Sequence, residues 1–385
     1  MKNRKMLFAI VLCLLCLALI VPVGAAQWVT RQLQAVYRDI SIIIDGNEII
    51  PTDVNGKLVE PFIVDGTTYV PIRAIGEAFG KDVLWNDPAS SVLISTPAST
   101  RPPLYYPEAP PAPSKNVEVS TAEELVKAIA PDTCITLKAG KYDVSTVIGV
   151  DNPYVYYRED FYGFDEMTLS ITAVEGLTLK AAPGADVEIV TPLRFAVVLE
   201  FSHCNGVSLF GIKAGHSVTG DYECDAGVVA FMDCYNVVVD DCYFYGSGSI
   251  GIDLYSCTNA LIQSTTVTDC SLRAVDIYDS RSISFTDCKF IDNRAYGSVI
   301  YGSGSSVEFL DCEISGNKSL EWSAVSIDDD VLFSHCVFKD NAIVDGSEPV
   351  FSGFGIRLHN CEIEKEGFSG YWEGQITSLG GNKLG

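Results

Sequence analysis

Carboxylate and tyrosine side chains recur at equivalent positions in the C-terminal part of the sequence. Asp253 and Tyr255 lie in Ile-Asp-Leu-Tyr, and Asp276 and Tyr278 lie in Val-Asp-Ile-Tyr one repeat later. Paired carboxylates can supply the acid and the base of glycoside hydrolysis, and tyrosine rings stack on sugars. With Glu200, these residues predict a sugar-binding stripe in which Asp253 and Asp276 are the catalytic candidates. The alternative is a solvated acidic surface on an acidic protein.

The segment that contains Lys213 and His216 is longer than its neighbours in the repeat, and loops on a rigid scaffold often carry function. Lys213 or His216 could remove a ring proton in a β-elimination. Asp221, Glu223 and Asp225 offer the oxygen ligands that Ca²⁺ prefers, and the ion would neutralise the carboxylate of a uronate sugar. Ca²⁺ is the one cofactor that the sequence suggests. A polar surface loop with one histidine is the alternative.

An insertion between positions 154 and 164 is rich in aromatic residues. Within it, Tyr156, Tyr157 and Arg158 have the ring faces and the charge that a substrate-binding platform would use. The same segment could instead form a flap packed against the rest of its domain. The sequence leaves both alternatives open.

These candidates lie within an internal repeat whose steps are 23 to 25 residues long in its most regular part. One position of the repeat is occupied by Cys242, Thr265, Cys288, Cys312, Cys336 and Cys361. Each unit contains at least two short strands of alternating apolar residues, separated by Gly, Asp and Asn turns. This period predicts a parallel β-helix, and the usual handedness of crossovers predicts a right-handed one. Stacked cysteines have poor disulfide geometry, so we expect a column of buried packing groups.

The predicted fold is therefore mainly β, a right-handed parallel β-helix over residues 116–385. From about Ser120 to Ile376 the repeats resemble the pectate-lyase-like right-handed β-helix superfamily. The resemblance implies the fold and says little about the reaction, because one fold supports many functions. Of the enzyme sequences in this superfamily, the Trp-Ile-Asp-His-like and Arg-x-Pro-x-x-Arg sequences of pectate lyases are absent. Asp240-Asp241 is present, but the Asn-Thr-Asp and Gly-His-Gly sequences that accompany such a pair in polygalacturonases are not.

The N-terminal part has a different pattern, with Asp-Gly turns between short apolar strands and one short helix, which predicts a small α+β domain over residues 35–96. The sequence from Asp65 to Arg73, followed by Glu-Ala-Phe-Gly and Val-Leu-Trp, resembles the copper amine oxidase N-terminal-like stalk domain. That resemblance implies a stalk or surface module of exported bacterial proteins. The segment contains no histidine and the chain has no Asn-Tyr-Asp/Glu sequence, so we expect neither copper binding nor amine oxidation.

The first 26 residues have the pattern of a secretory signal peptide: a basic start, an apolar run from Met6 to Val23, and small residues at the exit. We therefore expect a secreted or cell-surface protein that has no membrane segment after cleavage. A Pro-rich linker is predicted over residues 97–115. The chain has 26 basic and 50 acidic residues, and its net charge of −24 argues against nucleic acid as a partner.

Three functions remain compatible with these features. The first is an exported protein whose β-helix binds a polysaccharide or cell-wall glycan without turnover, and the absence of the enzyme sequences favours it. The second is a polysaccharide lyase or glycoside hydrolase that acts at the loop 213–225 and the Asp253/Asp276 face. The third is a structural surface protein that binds no glycan.

Overall fold

The computed structural model describes residues 33–38, 40–44, 47–51, 57–79, 82–86, 91–95, 113–159, 166–218, 226–246, 249–319, 324–344, 351–364 and 376–384. The predicted signal peptide and most of the predicted linker lie outside these residues. Contacts divide the chain into two compact units, Met1–Phe79 and Gly80–Gly385. The predicted domain limits at residues 96 and 116 stay predictions.

The N-terminal unit is built from two antiparallel hairpins and a short helix. Strand β1 (Ile42–Ile44) pairs with β2 (Asn47–Ile49), and β3 (Phe62–Val64) pairs with β4 (Thr67–Tyr69). Asp65 and Gly66 between β3 and β4 both have positive φ angles, 49° and 79°, as the predicted Asp-Gly turn requires. Helix α1 (Ile72–Ala78) follows, as the sequence predicts.

The second unit begins with a hairpin of β5 (Asp82–Asn86) and β6 (Ser91–Ser95) and continues as a β-helix. Its coils place parallel strands on three faces. Faces A and B share one 18-stranded sheet, and face C is a separate 10-stranded sheet. The predicted mainly β, parallel β-helix fold is confirmed.

Face A carries the predicted stripe. Its strands are β10 (Val155–Glu159), β11 (Met167–Thr172), β14 (Leu199–Ser202), β17 (Val229–Met232), β20 (Ile250–Tyr255), β23 (Arg273–Tyr278), β27 (Ile300–Ser303) and the first parts of β31 (Val325–Ser334) and β34 (Phe351–His359). All of these pairs are parallel except β10 with β11, which is antiparallel.

Faces B and C complete each coil. Face B contains β7 (Lys115–Val119), β8 (Thr133–Leu137), β12 (Leu177–Ala181), β15 (Ser208–Phe210), β18 (Tyr235–Asp240), β21 (Thr258–Gln263), β24 (Arg281–Thr286), β28 (Val307–Leu310), the last parts of β31 and β34, and β36 (Ile376–Ser378). Face C contains β9 (Gly140–Asp143), β13 (Val187–Thr191), β16 (Lys213–His216), β19 (Tyr243–Tyr245), β22 (Thr266–Thr268), β25 (Lys289–Ile291), β29 (Glu313–Ser315), β32 (Val337–Lys339), β35 (Glu362–Ile363) and β37 (Lys383–Leu384). A small third sheet contains β26 (Arg294–Ala295), β30 (Lys318–Ser319) and β33 (Ala342–Ile343).

The coils turn at residues that adopt the left-handed backbone conformation. Asp, Asn, Ser and His occupy most of these corners, which their short polar side chains tolerate better than other residues do. At many corners the next residue is a buried cysteine or its substitute. Cys312 Sγ donates to the carbonyls of Phe285 and Leu310, and Ser280 Oγ makes the equivalent bonds at another corner. The predicted cysteine column is therefore present, and the ten described cysteines are free thiols.

The interior of the helix is filled by further columns. Phe285, Phe309 and Phe333 stack with ring centroids 4.8 and 4.6 Å apart. Asn293 Nδ2 donates to Asn317 Oδ1 at 3.0 Å, which forms an asparagine ladder between neighbouring coils. These columns make the coils a rigid support for the residues on their outer faces.

Helix α2 (Ala122–Ala128) packs Leu125 and Val126 into the first coils. The Thr121 hydroxyl accepts from the Glu124 N–H, and the Glu124 carboxylate accepts from the Ser120 N–H. Both bonds cap the N-terminus of this helix. Within the described residues, no helix combines the length and the apolar composition that crossing a membrane requires.

Candidate functional site

Face A aligns the predicted stripe along the axis of the β-helix. Strand pairing places eight side chains in one outward column: Ser170, Glu200, Ala230, Asp253, Asp276, Tyr301, Ser326 and Ser352. Asp253 and Asp276 are direct neighbours in this column, and Ala230 separates Asp253 from Glu200. The stripe predicted from the repeat is thus one continuous feature of the fold.

Tyr255 and Tyr278 lie beside the carboxylates in the adjacent outward column. Their rings stack with centroids 5.2 Å apart and planes 10° from parallel. The two side chains are 41% and 47% exposed, so the aromatic surface is accessible from solvent. Together with Asp253, Asp276 and Glu200 they form a surface that we call the face A site.

The two aspartates are partly buried and electrostatically coupled. Burial, helped by the negative charges of Asp276 and Glu200 and opposed by Arg273, raises the pKa of Asp253 to about 7. Burial also raises the pKa of Asp276, against the opposing effect of Arg273. Near neutral pH the pair therefore contains one carboxyl that exchanges its proton easily.

Arg273 is the main residue of the site that the sequence did not predict. Three residues before Asp276, it would point to the opposite side of a regular strand. The Val299 carbonyl instead accepts from the N–H groups of both Ala274 and Val275, so the strand is irregular here. Arg273 consequently reaches Asp276 as an ion pair and lies over the ring of Tyr301, with 4.3 Å from its guanidinium carbon to the ring centroid.

Tyr301 was also missed, although a signal for it exists. Its strand pairs with β23 in the register that places Tyr301 opposite Asp276. Aligning the repeats one unit further along the sequence would have shown an aromatic residue at the position of the aspartates.

The insertion contributes Arg158 to the site from the antiparallel strand β10. Arg158 Nε and Nη2 donate to the two carboxylate oxygens of Glu200 at 3.2 and 2.5 Å. The Glu200 side chain is only 7% exposed, whereas that of Arg158 is 44% exposed. Hydrogen bonding to Glu200 raises the pKa of Arg158, so the guanidinium stays charged and is paired with this carboxylate.

The two tyrosines of the insertion have different environments. Tyr156 is exposed. Tyr157 is partly buried and donates its hydroxyl to the carbonyls of Val147 and Val150, and burial raises the pKa of Tyr157. The described part of the insertion therefore combines a packed tyrosine with an exposed one.

Lys213 and His216 lie on face C, so the structure does not bring them together with Asp253 and Asp276 on face A. Lys213 is exposed and pairs with Asp186 at 2.8 Å. His216 is buried; its Nε2 lies 3.0 Å from the Ala196 carbonyl, and its Nδ1 has no partner among the described residues. Burial lowers the pKa of His216.

The predicted calcium ligands Asp221, Glu223 and Asp225 lie outside the described residues. Within the described part of the chain, there is no group of three or more His, Cys, Asp or Glu side chains arranged to hold a metal ion. The calcium site stays a prediction.

Family models match both parts of the chain. Residues 222–382 match the right handed beta helix region, which confirms the resemblance and the handedness expected from the repeat. Residues 43–100 match the copper amine oxidase N-terminal domain. None of the curated proteins matches the chain.

Several solved structures are similar to this chain at low sequence identity. Pectate lyase Pel9A is 10% identical with a TM-score of 0.42, and the match covers 70% of this chain and 74% of that chain. A polygalacturonase from Erwinia carotovora ssp. carotovora is 9% identical with a TM-score of 0.42, covering 66% and 78% of the two chains. An alginate lyase from Paenibacillus sp. str. FPU-7 is 10% identical with a TM-score of 0.35, covering 70% and 97%.

Proposed function

In a chain that joins a copper amine oxidase N-terminal domain to a right-handed β-helix region, we propose that the face A site binds a polysaccharide with uncharged sugars. The observation that carries the proposal is the exposed, stacked pair of Tyr255 and Tyr278 beside the half-buried carboxyls of Asp253 and Asp276. Sugar-binding surfaces need this combination, because sugars present both apolar ring faces and hydroxyl groups.

The tyrosines supply the apolar part of the interaction. The two rings are stacked on each other along the axis of the β-helix, so a polymer that contacts the exposed parts of both would extend along face A. Carboxyl groups in the neighbouring column can accept hydrogen bonds from hydroxyl groups of the same sugars. A column of rigid strands holds both groups in place without a loop rearrangement.

The charges of the site favour uncharged sugars over uronates. The site contains two guanidinium groups and three carboxyls, and each guanidinium is already paired: Arg158 with Glu200, and Arg273 with Asp276. A uronate carboxylate would therefore find no unpaired cation among these residues and would be repelled by Asp253. The net charge of the whole chain, −24, acts in the same direction.

Export and surface location are part of the proposal. The signal-peptide pattern of residues 1–26 and the N-terminal domain support a secreted or cell-surface protein whose β-helix presents the binding face. A glycan of the cell wall or the surroundings would be accessible to such a protein.

Retention on insoluble polysaccharides tests the binding function. The mature chain, from residue 27, should be retained on at least one neutral polysaccharide of a panel. It should not be retained on insoluble polyuronates, with or without Ca²⁺. Tyr278→Ala should weaken retention by about tenfold, the loss expected for one stacking contact. Tyr235→Ala is the matched control, because Tyr235 is exposed at the start of a face B strand. Equal loss in both variants, or no retention on any glycan, would reject the proposal.

Hydrolysis is a second candidate, favoured by the pKa of Asp253. A carboxyl that titrates near 7 can hold the proton that a general acid gives to a glycosidic oxygen. Adjacent strands lie about 4.8 Å apart, so side chains of Asp253 and Asp276 that project in parallel would hold their carboxyls near the ~5–5.5 Å separation typical of retaining glycosidases. Asp276, with Arg273 beside it, would then act as the nucleophile.

Measurement of new reducing ends separates hydrolysis from binding. If the site hydrolyses the retained polysaccharide, Asp253→Asn should abolish product formation and keep most of the retention, because both tyrosines remain and an amide can still hydrogen-bond to sugar hydroxyls. Retention without any new reducing ends in the wild-type protein would leave binding as the function and remove hydrolysis.

A further inference from the structure

Two histidines that the proposed glycan site does not use meet at a corner between faces B and C. His359 ends strand β34 and is paired in register with Ser334, the last residue of β31. His335 follows Ser334 and adopts the left-handed conformation with φ of 56°, and Asn360 occupies the same corner one coil later with φ of 51°. The two imidazole rings lie edge to face with centroids 5.5 Å apart.

The hydrogen bonds around these rings converge on two atoms. Ser334 Oγ lies 3.0 Å from Nδ1 of His335 and 3.3 Å from Nδ1 of His359. Asn360 Nδ2 lies 3.1 Å from Nε2 of His335 and 3.2 Å from Nε2 of His359. Both rings therefore direct the same nitrogen toward the same point.

One assignment of protons satisfies all four contacts. An amide nitrogen has two protons, which can serve two imidazole acceptors, and a hydroxyl oxygen can accept from two N–H groups. Each ring then carries its proton on Nδ1, donated to Ser334, and each Nε2 lone pair faces Asn360. The opposite orientation of the Asn360 amide would require the single Ser334 proton to serve two Nδ1 acceptors at once.

We propose that His335 and His359 form a two-imidazole binding site for a divalent transition metal ion, with Zn²⁺ as the best fit. Neutral imidazole with its second nitrogen fixed by a hydrogen bond is the usual state of a histidine metal ligand. Here a buried serine fixes both rings, and the Asn360 amide occupies the position toward which the lone pairs point. Zn–N bonds of about 2.0–2.1 Å require each Nε2 to approach that point by about 1 Å, which the exposed His335 and the partly exposed His359 allow.

The remaining coordination positions would be open to solvent. His335 and Asn360 are exposed, so water can complete a tetrahedral shell once the Asn360 side chain turns away. Such a site needs no carboxylate or thiolate, and it lies on a different part of each coil from the face A site.

Another corner offers an internal control with a single imidazole. His203 also adopts the left-handed conformation, and its Nδ1 lies 2.7 Å from Ser202 Oγ. The residue at the equivalent position one coil later is Asp233, whose carboxylate is 3.7 Å from His203 Nε2. Two imidazoles do not converge at this corner, so it should bind Zn²⁺ more weakly than the pair does.

Calorimetric titration of the mature chain with Zn²⁺ alone tests the site. His335→Asn and His359→Asn should each weaken binding by about tenfold or more, and asparagine is suited to the backbone at position 335 because Asn360 adopts the same conformation. His203→Asn should leave the affinity unchanged. Asn360→Asp should strengthen binding by about tenfold, because it replaces the amide with a third ligand between the two Nε2 atoms.

Imidazole NMR signals provide a readout that does not depend on affinity. Zn²⁺ should shift the Nε2 resonances of His335 and His359 and leave those of His203 in place. The proposal would be overturned if the wild-type chain bound no Zn²⁺, or if the His335→Asn and His359→Asn variants bound Zn²⁺ as tightly as the wild type.

Discussion

Asp253 and Asp276 lie side by side, in register on consecutive parallel strands. Arg273 forms an ion pair with Asp276 and also lowers the pKa of Asp253 through its charge. In a parallel β-helix, equivalent side chains on neighbouring coils are forced together at strand spacing, so a repeated aspartate becomes a carboxyl pair. Arg273 compensates one of the two charges. The second charge is disfavoured by burial, and this explains why the pKa of Asp253 rises to about 7.

The Asp253→Asn variant should be more stable than the wild-type protein at alkaline pH. The pKa of Asp253 is higher in the folded state than the ~3.9 of an unfolded chain, so its contribution to stability is present below about pH 4 and lost as pH rises through 7. Asparagine removes this loss. We expect the free energy of unfolding to exceed that of the wild type by up to about 4 kcal/mol at pH 8 and to match it near pH 4.

Chemical denaturation at both pH values measures this effect. Asp287→Asn is a suitable control, because Asp287 is exposed at a corner where asparagine is equally well accommodated. If Asp253→Asn lowered the free energy of unfolding at pH 8, the folded protein would not disfavour the Asp253 carboxylate, contrary to our account.

Removing Arg273 should have the opposite pH dependence. Arg273→Gln leaves the half-buried carboxyls without their cation, and we expect a loss of about 2 kcal/mol or more at pH 8, where they are ionised. At pH 5 the loss should be much smaller, because Asp253 is then protonated. Urea unfolding of the variant at the two pH values measures the difference, and a loss independent of pH would indicate that Arg273 acts only through packing on Tyr301.

The buried cysteines should behave as reduced, unreactive packing groups. The ten described cysteines are at most 3% exposed, and burial raises the pKa of Cys242 to about 12. A thiol reagent should label none of them in the native protein and all of them in denaturant, with mass spectrometry to score Cys224 separately. A reductant should leave the melting temperature unchanged. A fall of several degrees on reduction would indicate a disulfide instead.

Gly251 should be required for close packing behind the site. A Cβ at this position would lie 2.3 Å from Val267 Cγ1 and 2.7 Å from the Ala274 carbonyl. Gly251→Ala should therefore cost about 1–3 kcal/mol of stability in thermal or urea unfolding. Gly297→Ala is the control, since its nearest contact would be 3.7 Å, and it should change stability by no more than about 0.5 kcal/mol. Equal costs in the two variants would show that the close contact at Gly251 does not set the effect.

The repeat made the fold predictable because its period fixes which residues stack. Asp253 with Asp276 and Tyr255 with Tyr278 follow from that period, and so does the cysteine column. Arg273 could not be predicted, because a local irregularity of its strand reverses the side to which it points. Lys213 and His216 were grouped with the aspartates by their place in an enlarged repeat, but assignment to face C depends on where the coil turns, which the sequence pattern did not show.

Hydroxyl-radical footprinting with a retained polysaccharide tests the central claim most directly, because it identifies the tyrosines that the polymer covers. We expect the polymer to protect Tyr255 and Tyr278 from oxidation and to leave the exposed Tyr235 and Tyr296 unprotected. Protection of Tyr235 or Tyr296 with no protection of Tyr255 and Tyr278 would place the binding surface elsewhere and contradict the account.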